Sequence, residues 1–332
     1  MAEHHRVPLQ LGTDCSGIGS ICVALAVLGI PFVHVFGSEV ENDARRQLES
    51  TFPPQHFYRD LRNRCIQSMP RVHLYVAGFP CQAFSAAGNM EGFAHQSGDL
   101  FFYIYEYIRL RRPLTFILEN VVGLATVQDG HCFRVVLRCL WDLGNYNIYW
   151  QLLNTNEHGI PQNRPRYYFI GILRSHDVGS FVFPARTRPP SLEVFLDARS
   201  GRPSWADLPP SSQGSARANV RHMLQQVDDM QRDPFGEPWV FDIDSSIGRG
   251  RPSYDMVPCI TRSRWQGHWV SNRGRRLSLT EMMRLQGFPS TLPIVIDERD
   301  FRRCLGNCMS VNILLEIIKA LDLVVSHWEP QP

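Results

Sequence analysis

The stretch TDCSGIGS at residues 13–20 separates a strand-like run from a helix-like run. Its two glycines, Gly17 and Gly19, let the backbone turn tightly and approach a ligand. The helix predicted beyond them offers free N–H groups to an anionic part of that ligand. The pattern therefore indicates a nucleotide-type cofactor site. A plain tight turn gives the same short pattern, and the third glycine of the dinucleotide fingerprint is missing.

Outward from this turn, the first half of the chain alternates strand-like runs with amphipathic stretches. Such alternation is typical of a mostly parallel sheet covered by helices, so we expect an α/β fold. The predicted strands cover residues 33–38, 72–77 and 115–119, and the predicted helices cover residues 18–28, 99–110 and 132–143. Two further strands, at 146–153 and 166–172, are close enough in sequence to pair antiparallel.

The character of the chain changes from about Arg174, where prolines and polar residues interrupt any periodic pattern. The prolines are Pro184, Pro189, Pro190, Pro203, Pro209 and Pro210. At this density they favour loops and edge strands rather than helix. Regular pattern returns with predicted helices at 278–285 and 310–324. We expect a first domain at 1–173, completed by 300–325, and a second, irregular region at 174–299.

Composition sets the broad class. The chain has 332 residues, 44% of them hydrophobic, with no apolar run near the length of about 18 that a membrane span needs. The N-terminus lacks the apolar core of a secretory signal, so we expect an intracellular protein, nuclear in a eukaryotic host and cytoplasmic otherwise. The nine cysteines are scattered and odd in number, which favours free thiols. Cys304 and Cys308 lack a second ligand pair, so no metal site is expected.

The positive charge is almost entirely arginine, with Lys319 the only lysine, and the net charge is +2. Arginine suits bidentate contacts with phosphate and guanine. A codon bias toward arginine explains the same fact, so this feature alone does not indicate nucleic acid.

Acidic residues follow successive predicted strands. Glu39 ends the second strand and Asp60 follows the third, where carboxylates can accept hydrogen bonds from ribose hydroxyls. Solvated acids are common at strand ends, but ligands bind at the carboxyl ends of such strands, which favours a functional interpretation.

Three segments carry candidate chemistry. GFPCQAFS at 78–85 places Cys81 just after a buried strand, on the ligand-binding rim rather than in the core. Glu119 ends the neighbouring strand, where its carboxyl group can meet Cys81 across one small ring. Arg164 and Arg166 are spaced to point the same way on a strand and can hold an anion or lower the thiol pKa. The alternatives are a buried inert cysteine and solvated surface arginines.

These segments resemble, in order, signature motifs of the cytosine-C5 DNA methyltransferases. The motifs are Pro80-Cys81-Gln82, Glu119-Asn120-Val121, Gln162-x-Arg164-x-Arg166, RLQGFP at 284–289, and Gly306-Asn307 followed by Ser310-Val311. The resemblance extends from about Gly12 to Ile318. It implies a Rossmann-like class I methyltransferase domain and a target-recognition region. One departure is Cys15, where the family usually has the phenylalanine that stacks on the cofactor adenine, with Thr13-Asp14 in place of Asp-Leu.

The resemblance implies S-adenosyl-L-methionine as the cofactor. The residues that it assigns to cofactor binding are Asp14, Cys15, Ser16, Gly17, Ile18, Gly19, Glu39, Val40, Asp60, Leu61, Pro80, Leu100, Asn307, Ser310 and Val311. Because Cys15 replaces the phenylalanine, the adenine platform has to be a different aromatic residue, or cofactor binding is weaker.

The resemblance also implies covalent catalysis. Cys81 adds to C6 of cytosine, C5 takes the methyl group, and loss of the C5 proton expels Cys81. Glu119 hydrogen-bonds the N3 and amino edge of the base, and Arg164 and Arg166 stabilise the activated pair and the backbone phosphate. The base has to be flipped out of the duplex, with residues 84–99 as a closing lid.

Double-stranded DNA is the implied partner of a protein expected to be a monomer. The residues assigned to nucleic-acid contact are Gln82, Ser85, Gln162, Thr261 and Arg262. The recognition region adds ten arginines and four tryptophans, which suit phosphates and base edges. They are Arg186, Arg188, Arg199, Arg202, Arg217, Arg221, Arg249, Arg251, Arg262 and Arg264, with Trp205, Trp239, Trp265 and Trp269.

Three alternatives stay open from the sequence. The tRNA-methylating branch shares these motifs, although its Cys-Phe-Thr segment is only partly matched by Cys259-Ile260-Thr261. A catalytically inactive binding protein is disfavoured because Cys81 and Glu119 are both present. A nicotinamide-dependent dehydrogenase is disfavoured by the missing third glycine.

Overall fold

The computed structural model describes residues 7–79, 100–179, 181–246 and 248–322. Its strands are β1 Leu9–Asp14, β2 Phe32–Ser38, β3 His56–Tyr58, β4 Leu74–Gly78, β5 Thr115–Val121, β6 Tyr146–Asn154, β7 Gln162–Asn163, β8 Pro165–Leu173, β9 Trp239–Phe241, β10 Ser253–Tyr254, β11 Val257–Pro258, β12 Trp269–Val270 and β13 Arg275–Arg276. Its helices are α1 Ser20–Val27, α2 Asn42–Thr51, α3 Leu100–Arg111, α4 His131–Asp142, α5 Gly214–Asp229, α6 Leu279–Leu285, α7 Glu298–Asn307 and α8 Val311–Asp322.

The chain divides into two compact units, which are described separately. The first unit comprises Met1–Leu153, Pro165–Ala185 and Ile313–Pro332, and the second comprises Asn154–Arg164 and Arg186–Asn312. Residues 154–164 and 300–312 therefore lie in the second unit, whereas the sequence-based boundaries assigned them to the first.

The first unit is built on a seven-stranded sheet in the order β3-β2-β1-β4-β5-β8-β6. Strands β3, β2, β1, β4 and β5 pair in parallel, and β8 pairs antiparallel with β5. The α/β class with a mostly parallel sheet is confirmed. Because the carboxyl ends of parallel strands meet at one edge, the loops after β1, β2, β3, β4 and β5 share that edge.

Helix α3 shows why this unit folds as it does. Its buried residues Phe101, Ile104, Tyr107 and Ile108 recur at helical spacing, so one face of α3 is apolar. Tyr107 packs in the same aromatic core as Phe36 of β2, with ring centroids 5.1 Å apart. Burying side chains of this size stabilises the fold by about 1.5–3 kcal/mol each.

The second unit contains a four-stranded antiparallel sheet, in the order β10-β9-β12-β13, with α5 in the same hydrophobic core. The prediction that the proline-interrupted stretch after Arg174 forms loops and edge strands rather than helix is wrong for α5. The prolines end at Pro210 and resume only at Pro234, so residues 211–233 are free to form a helix. The apolar residues Val220, Met223, Leu224 and Val227 give this helix a buried face.

Among the described residues, no single helix has the length and hydropathy to cross a bilayer. Helices α7 and α8 reach those values only when they are counted together across the bend between them.

Candidate active site

The loop after β1 is fixed by the acidic residue that follows β2. Glu39 accepts backbone N–H hydrogen bonds from Gly17 at 2.8 Å and from Glu41 at 2.9 Å, one on each carboxylate oxygen. Burial raises the pKa of Glu39, and these two hydrogen bonds oppose that rise. Each oxygen keeps a second lone pair, so Glu39 can still accept hydrogen bonds from ligand hydroxyls.

The glycines of this loop are required by its backbone. Gly17 and Gly19 have φ values of 54° and 86°, in the left-handed region. A Cβ at Gly19 would also lie 2.9 Å from the side chain of Leu48. Gly19 directly precedes α1, and Ile18 beside it is fully buried, which anchors the loop to the core.

Asp14, the last residue of β1, has a buried side chain. Its carboxylate accepts hydrogen bonds from two guanidinium nitrogens of Arg64, from the Tyr75 hydroxyl and from the Ser38 hydroxyl. The Asp14 and Arg64 side chains have no exposed surface. These contacts do not support the prediction that the Asp14 side chain binds the cofactor, because four donors inside the unit already surround the carboxylate. Sequence reasoning missed Arg64, which is 50 residues away in the chain.

The loop also contains the residue that departs from the family pattern. Cys15 is half-buried and has a φ of 49°. Burial, followed by the nearby Glu39 and Asp14 carboxylates, raises the pKa of the Cys15 thiol. Cys15 is thus a neutral thiol near pH 7, and its side chain has no ring to stack on an adenine. Ser16 beside it donates a hydrogen bond to the Ser38 carbonyl at 3.0 Å.

A cavity of about 360 Å³ lies beside the loops after β2 and β3. Its lining residues are Val40, Phe57, Tyr58, Arg59, Asp60 and Asn63. Two predicted cofactor residues, Val40 and Asp60, thus share one cavity with two aromatic residues that the sequence did not single out. Leu61 is buried beneath this segment.

Asp60 is ionised in this cavity. The Arg62 side chain donates hydrogen bonds to both Asp60 oxygens, the shortest at 2.7 Å, and the Arg62 backbone N–H donates a further one. The side-chain hydrogen bond from Arg62 lowers the pKa of Asp60.

The tips of β4 and β5 carry the second part of the site. Gly78, the last residue of β4, pairs with Glu119, and Cys81 follows Gly78 by three residues in the chain. Arg166 Nε lies 3.1 Å from Glu119 Oε1, and both side chains are close to nine-tenths buried. Asn120 donates to the Phe79 carbonyl at 3.5 Å, so it holds the chain just before residue 80. Pro80, Cys81, Gln82, Ser85 and the predicted lid lie outside the described residues. Leu100 is half-buried at the start of α3.

The side chain of Gln162 hydrogen-bonds backbone groups of the second unit. Gln162 is fully buried, donates to the Leu285 carbonyl at 2.7 Å and accepts from the Ile260 N–H at 3.0 Å. The prediction that its side chain contacts nucleic acid is not supported by this position, because both ends of the amide are used inside the unit.

Arg164 is held in the same way. Its guanidinium donates to the Ile260 carbonyl at 2.7 Å, and to the carbonyls of Gly306 and Cys308. Arg164 is 2% exposed. These contacts do not support the expectation that Arg164 and Arg166 point the same way, because the Arg164 guanidinium binds carbonyls of the second unit whereas Arg166 pairs with Glu119.

Five more predicted residues belong to the same segments of the second unit. The Thr261–Arg262 backbone touches Gly306, where a Cβ would lie 2.2 Å from the Arg262 nitrogen, so no side chain fits there. Asn307, the next residue, is exposed. Ser310 is buried and bonds the Thr155 hydroxyl at 2.7 Å. Val311 is buried at the start of α8, so of the three predicted cofactor residues here only Asn307 presents its side chain to solvent.

The mostly parallel sheet carries a glycine loop and acidic residues at its carboxyl edge, and a carboxylate–guanidinium pair lies on two neighbouring strands. Together these features define a methyltransferase-type α/β protein. The sequence profile of the C-5 cytosine-specific DNA methylases matches residues 15–322, and the chain belongs to that family. Family and relatives together indicate a DNA cytosine-C5 methyltransferase, and do not favour the tRNA-methylating or inactive alternatives.

Two bacterial relatives cover nearly the whole chain. The Type II methyltransferase M.NgoBI of Neisseria gonorrhoeae is 34% identical over 93% of this chain and 92% of its own length. The Type II methyltransferase M.HaeII of Haemophilus aegyptius is 32% identical over 91% of this chain and 89% of its own.

Solved structures share the fold. The Entamoeba histolytica methyltransferase EhMeth has a TM-score of 0.68 at 17% identity, over 96% of this chain and 99% of that chain. The S. pombe Dnmt2 methyltransferase has a TM-score of 0.64 at 18% identity, over 96% of this chain and 99% of that chain.

Proposed function

We propose that this chain methylates C5 of cytosine in double-stranded DNA, with S-adenosyl-L-methionine as the methyl donor and Cys81 as the nucleophile. The observation that carries the proposal is the Glu119–Arg166 pair at the tip of β5. It lies opposite Gly78, the end of the strand that leads into Cys81. A carboxyl group held there by a guanidinium suits the N3 and amino edge of a cytosine.

The residues at the carboxyl edge fit an adenosyl group. Glu39 keeps free lone pairs for ribose hydroxyls. The cavity beside it offers Phe57 as an aromatic surface, in place of the phenylalanine that Cys15 replaces. The ionised and partly exposed Asp60 lines the same cavity, and it accepts from a ligand hydroxyl by exchanging one of its hydrogen bonds from Arg62. When bound, the cofactor supplies an electrophilic methyl group on a sulfonium.

The protein residues then have distinct roles. The Cys81 thiolate forms a bond to C6, and the ring electron pair moves to C5, which becomes nucleophilic enough to be methylated. A base removes the C5 proton, and the electrons of that C–H bond restore the C5–C6 double bond and expel the thiolate. Glu119 holds the base edge throughout, and Arg166 fixes the carboxyl group of Glu119. Arg164 positions backbone in the second unit and does not touch the base.

The target has to leave the duplex to meet a thiol, because C6 of a stacked base is inaccessible. We assign DNA recognition to the second unit, since it contains the predicted contacts Thr261 and Arg262 and most of the arginines of the recognition region.

The test is transfer of tritium from labelled S-adenosyl-L-methionine to unmethylated duplex DNA and, in parallel, to tRNA. We expect 5-methylcytosine in DNA, and none with Cys81→Ser. The matched control is Cys65→Ser, because Cys65 is an exposed thiol of the same unit and its loss should leave activity unchanged. Label only in tRNA would overturn the substrate, and full activity of Cys81→Ser would overturn the nucleophile.

A second test examines the covalent step. A duplex with 5-fluorocytosine at the target cannot lose a C5 proton, so the thiolate should stay attached. We expect a complex that survives denaturing electrophoresis for the unaltered protein and for Cys65→Ser, but not for Cys81→Ser. No such complex with an active enzyme would contradict covalent attack.

A further inference from the structure

Most arginines of the second unit are already neutralised by carboxylates of the same unit. The pairs are Arg199–Asp207, Arg202–Asp233, Arg232–Glu237, Arg264–Asp242, Arg273–Glu193, Arg275–Glu281, Arg276–Asp244 and Arg284–Asp197, with N–O distances of 2.6–2.8 Å. Arginines paired in this way stabilise the unit, and a phosphate or a base could bind them only by displacing the carboxylates. The composition of the recognition region therefore overstates its capacity to contact DNA.

Among the described residues, four exposed arginines of the second unit lack a side-chain hydrogen bond or ion pair: Arg188, Arg221, Arg249 and Arg251. Only Arg249 and Arg251 lie together, in the 248–251 turn between β9 and β10. Arg249 and Arg251 are exposed on either side of the buried Gly250. Within the described parts of the chain, neither guanidinium has a hydrogen-bond or ion-pair partner. Because both residues are exposed while Gly250 between them is buried, both arginine side chains leave the turn on the solvent side.

The turn is held against α5 by two contacts. Asn219 is buried in α5 and donates to the carbonyls of Ile243 at 3.0 Å and Ser245 at 2.9 Å, just before the turn. Gly250 packs so closely that a Cβ there would lie 3.0 Å from the end of the Met223 side chain. A backbone fixed in this way reduces the entropy lost when its side chains bind a ligand.

The local charge favours an anionic or electron-rich partner. The acids preceding the turn, Asp242 and Asp244, are paired with Arg264 and Arg276 at 2.7 Å. Their charges are therefore compensated, whereas those of Arg249 and Arg251 are not. An uncompensated guanidinium binds paired acceptors, either O6 and N7 of guanine or two oxygens of a phosphate.

We propose that the 248–251 turn contacts the DNA substrate through Arg249 and Arg251. This inference rests on the proposed function and deepens it, because it selects two DNA-contacting residues from the many arginines of the recognition region. The chemistry recognised is a pair of hydrogen-bond acceptors on DNA, and the two possible sources have different experimental signatures.

The experiment uses Arg249→Gln, Arg251→Gln and the double variant of the full chain. Arg202→Gln is the matched control, because it removes the same charge from an exposed arginine that Asp233 already neutralises. Each protein methylates an unmethylated plasmid, and bisulfite sequencing gives the rate at every cytosine. Duplex affinity is measured from about 50 to about 200 mM salt, because phosphate contacts make the affinity fall steeply over that range. Circular dichroism melting verifies that each variant is folded.

Guanine contacts would relax the recognition sequence at a guanine position, with roughly tenfold to hundredfold less discrimination there. Phosphate contacts would weaken binding equally at all sites, and would reduce the slope of log K against log salt by about 0.9 per arginine. Either result supports the proposal. Folded variants that match Arg202→Gln in rate, sequence and salt slope would overturn it. If the unaltered protein forms no 5-methylcytosine in DNA, the proposed function itself fails.

Discussion

Arg164 and Arg166 are two residues apart in the chain, yet they belong to different units and bind different acceptors. Arg164 donates to three backbone carbonyls in two segments of the second unit. Arg166 pairs with the Glu119 carboxylate at the sheet edge of the first unit. The comparison teaches that the acceptor, rather than the spacing of the arginines, decides which one takes part in chemistry. A buried carbonyl needs a hydrogen-bond donor, so an arginine bound to it is structural. A carboxylate at a strand end can bind a substrate, so an arginine paired with it can take part in the reaction.

Arg164→Met should give the largest loss of stability. It removes the donors of buried carbonyls of Ile260, Gly306 and Cys308, so we expect roughly 3–5 kcal/mol less free energy of unfolding. Urea denaturation followed by circular dichroism measures this. A stable Arg164→Met protein with a reduced kcat would instead place Arg164 in the catalytic machinery.

Arg64→Met tests a third arginine, whose carboxylate partner is buried. The Asp14 charge would keep only the Ser38 and Tyr75 hydroxyls, which predicts a loss of about 3 kcal/mol. The double variant Asp14→Leu/Arg64→Met should recover most of that loss, because no unpaired charge remains buried. If the double variant is as unstable as the single one, packing rather than charge pairing explains the effect.

Arg166→Gln should separate activity from stability. The pair with Glu119 retains some exposure, so we expect about 1–2 kcal/mol less free energy of unfolding. The methyl-transfer rate should fall roughly a hundredfold, because the carboxyl group at the base edge loses its fixed orientation. Single-turnover rates with tritiated cofactor measure this, and Arg166→Lys should restore part of the rate. An unchanged rate would remove Arg166 from the site.

Arg62→Ala should have the smallest effect. The hydrogen bonds from Arg62 lower the pKa of Asp60 in the folded protein. The Arg62–Asp60 pair therefore stabilises the fold above the ordinary aspartate pKa of about 4, and this stabilisation is lost as the pH falls through the lowered pKa of the folded state. Both side chains are partly exposed, so we expect at most about 1 kcal/mol at pH 7. Urea denaturation of both proteins should give a larger difference at pH 7 than at pH 3.

Local patterns predicted the parts of the site that depend on neighbouring residues. Glycines that need a positive φ, the acid after β2 and the carboxyl group at the tip of β5 all follow from strand and turn geometry over a few residues. Helix α5 was missed because the prolines on either side of it dominated the composition of the region. Roles assigned to Pro80, Cys81, Gln82 and Ser85 stay predictions.

The sequence by itself determined the α/β class, the family and the order of the motifs, because these depend on periodicity and on short segments. Only the tertiary structure decided which polar residues are free to bind a ligand. Asp14 meets Arg64 over 50 residues, and Arg284 meets Asp197 over 87. No local pattern predicts such pairs, since a side chain's partner is set by where the chain returns in space. The same reason separates Arg249 and Arg251 from the paired arginines of the second unit.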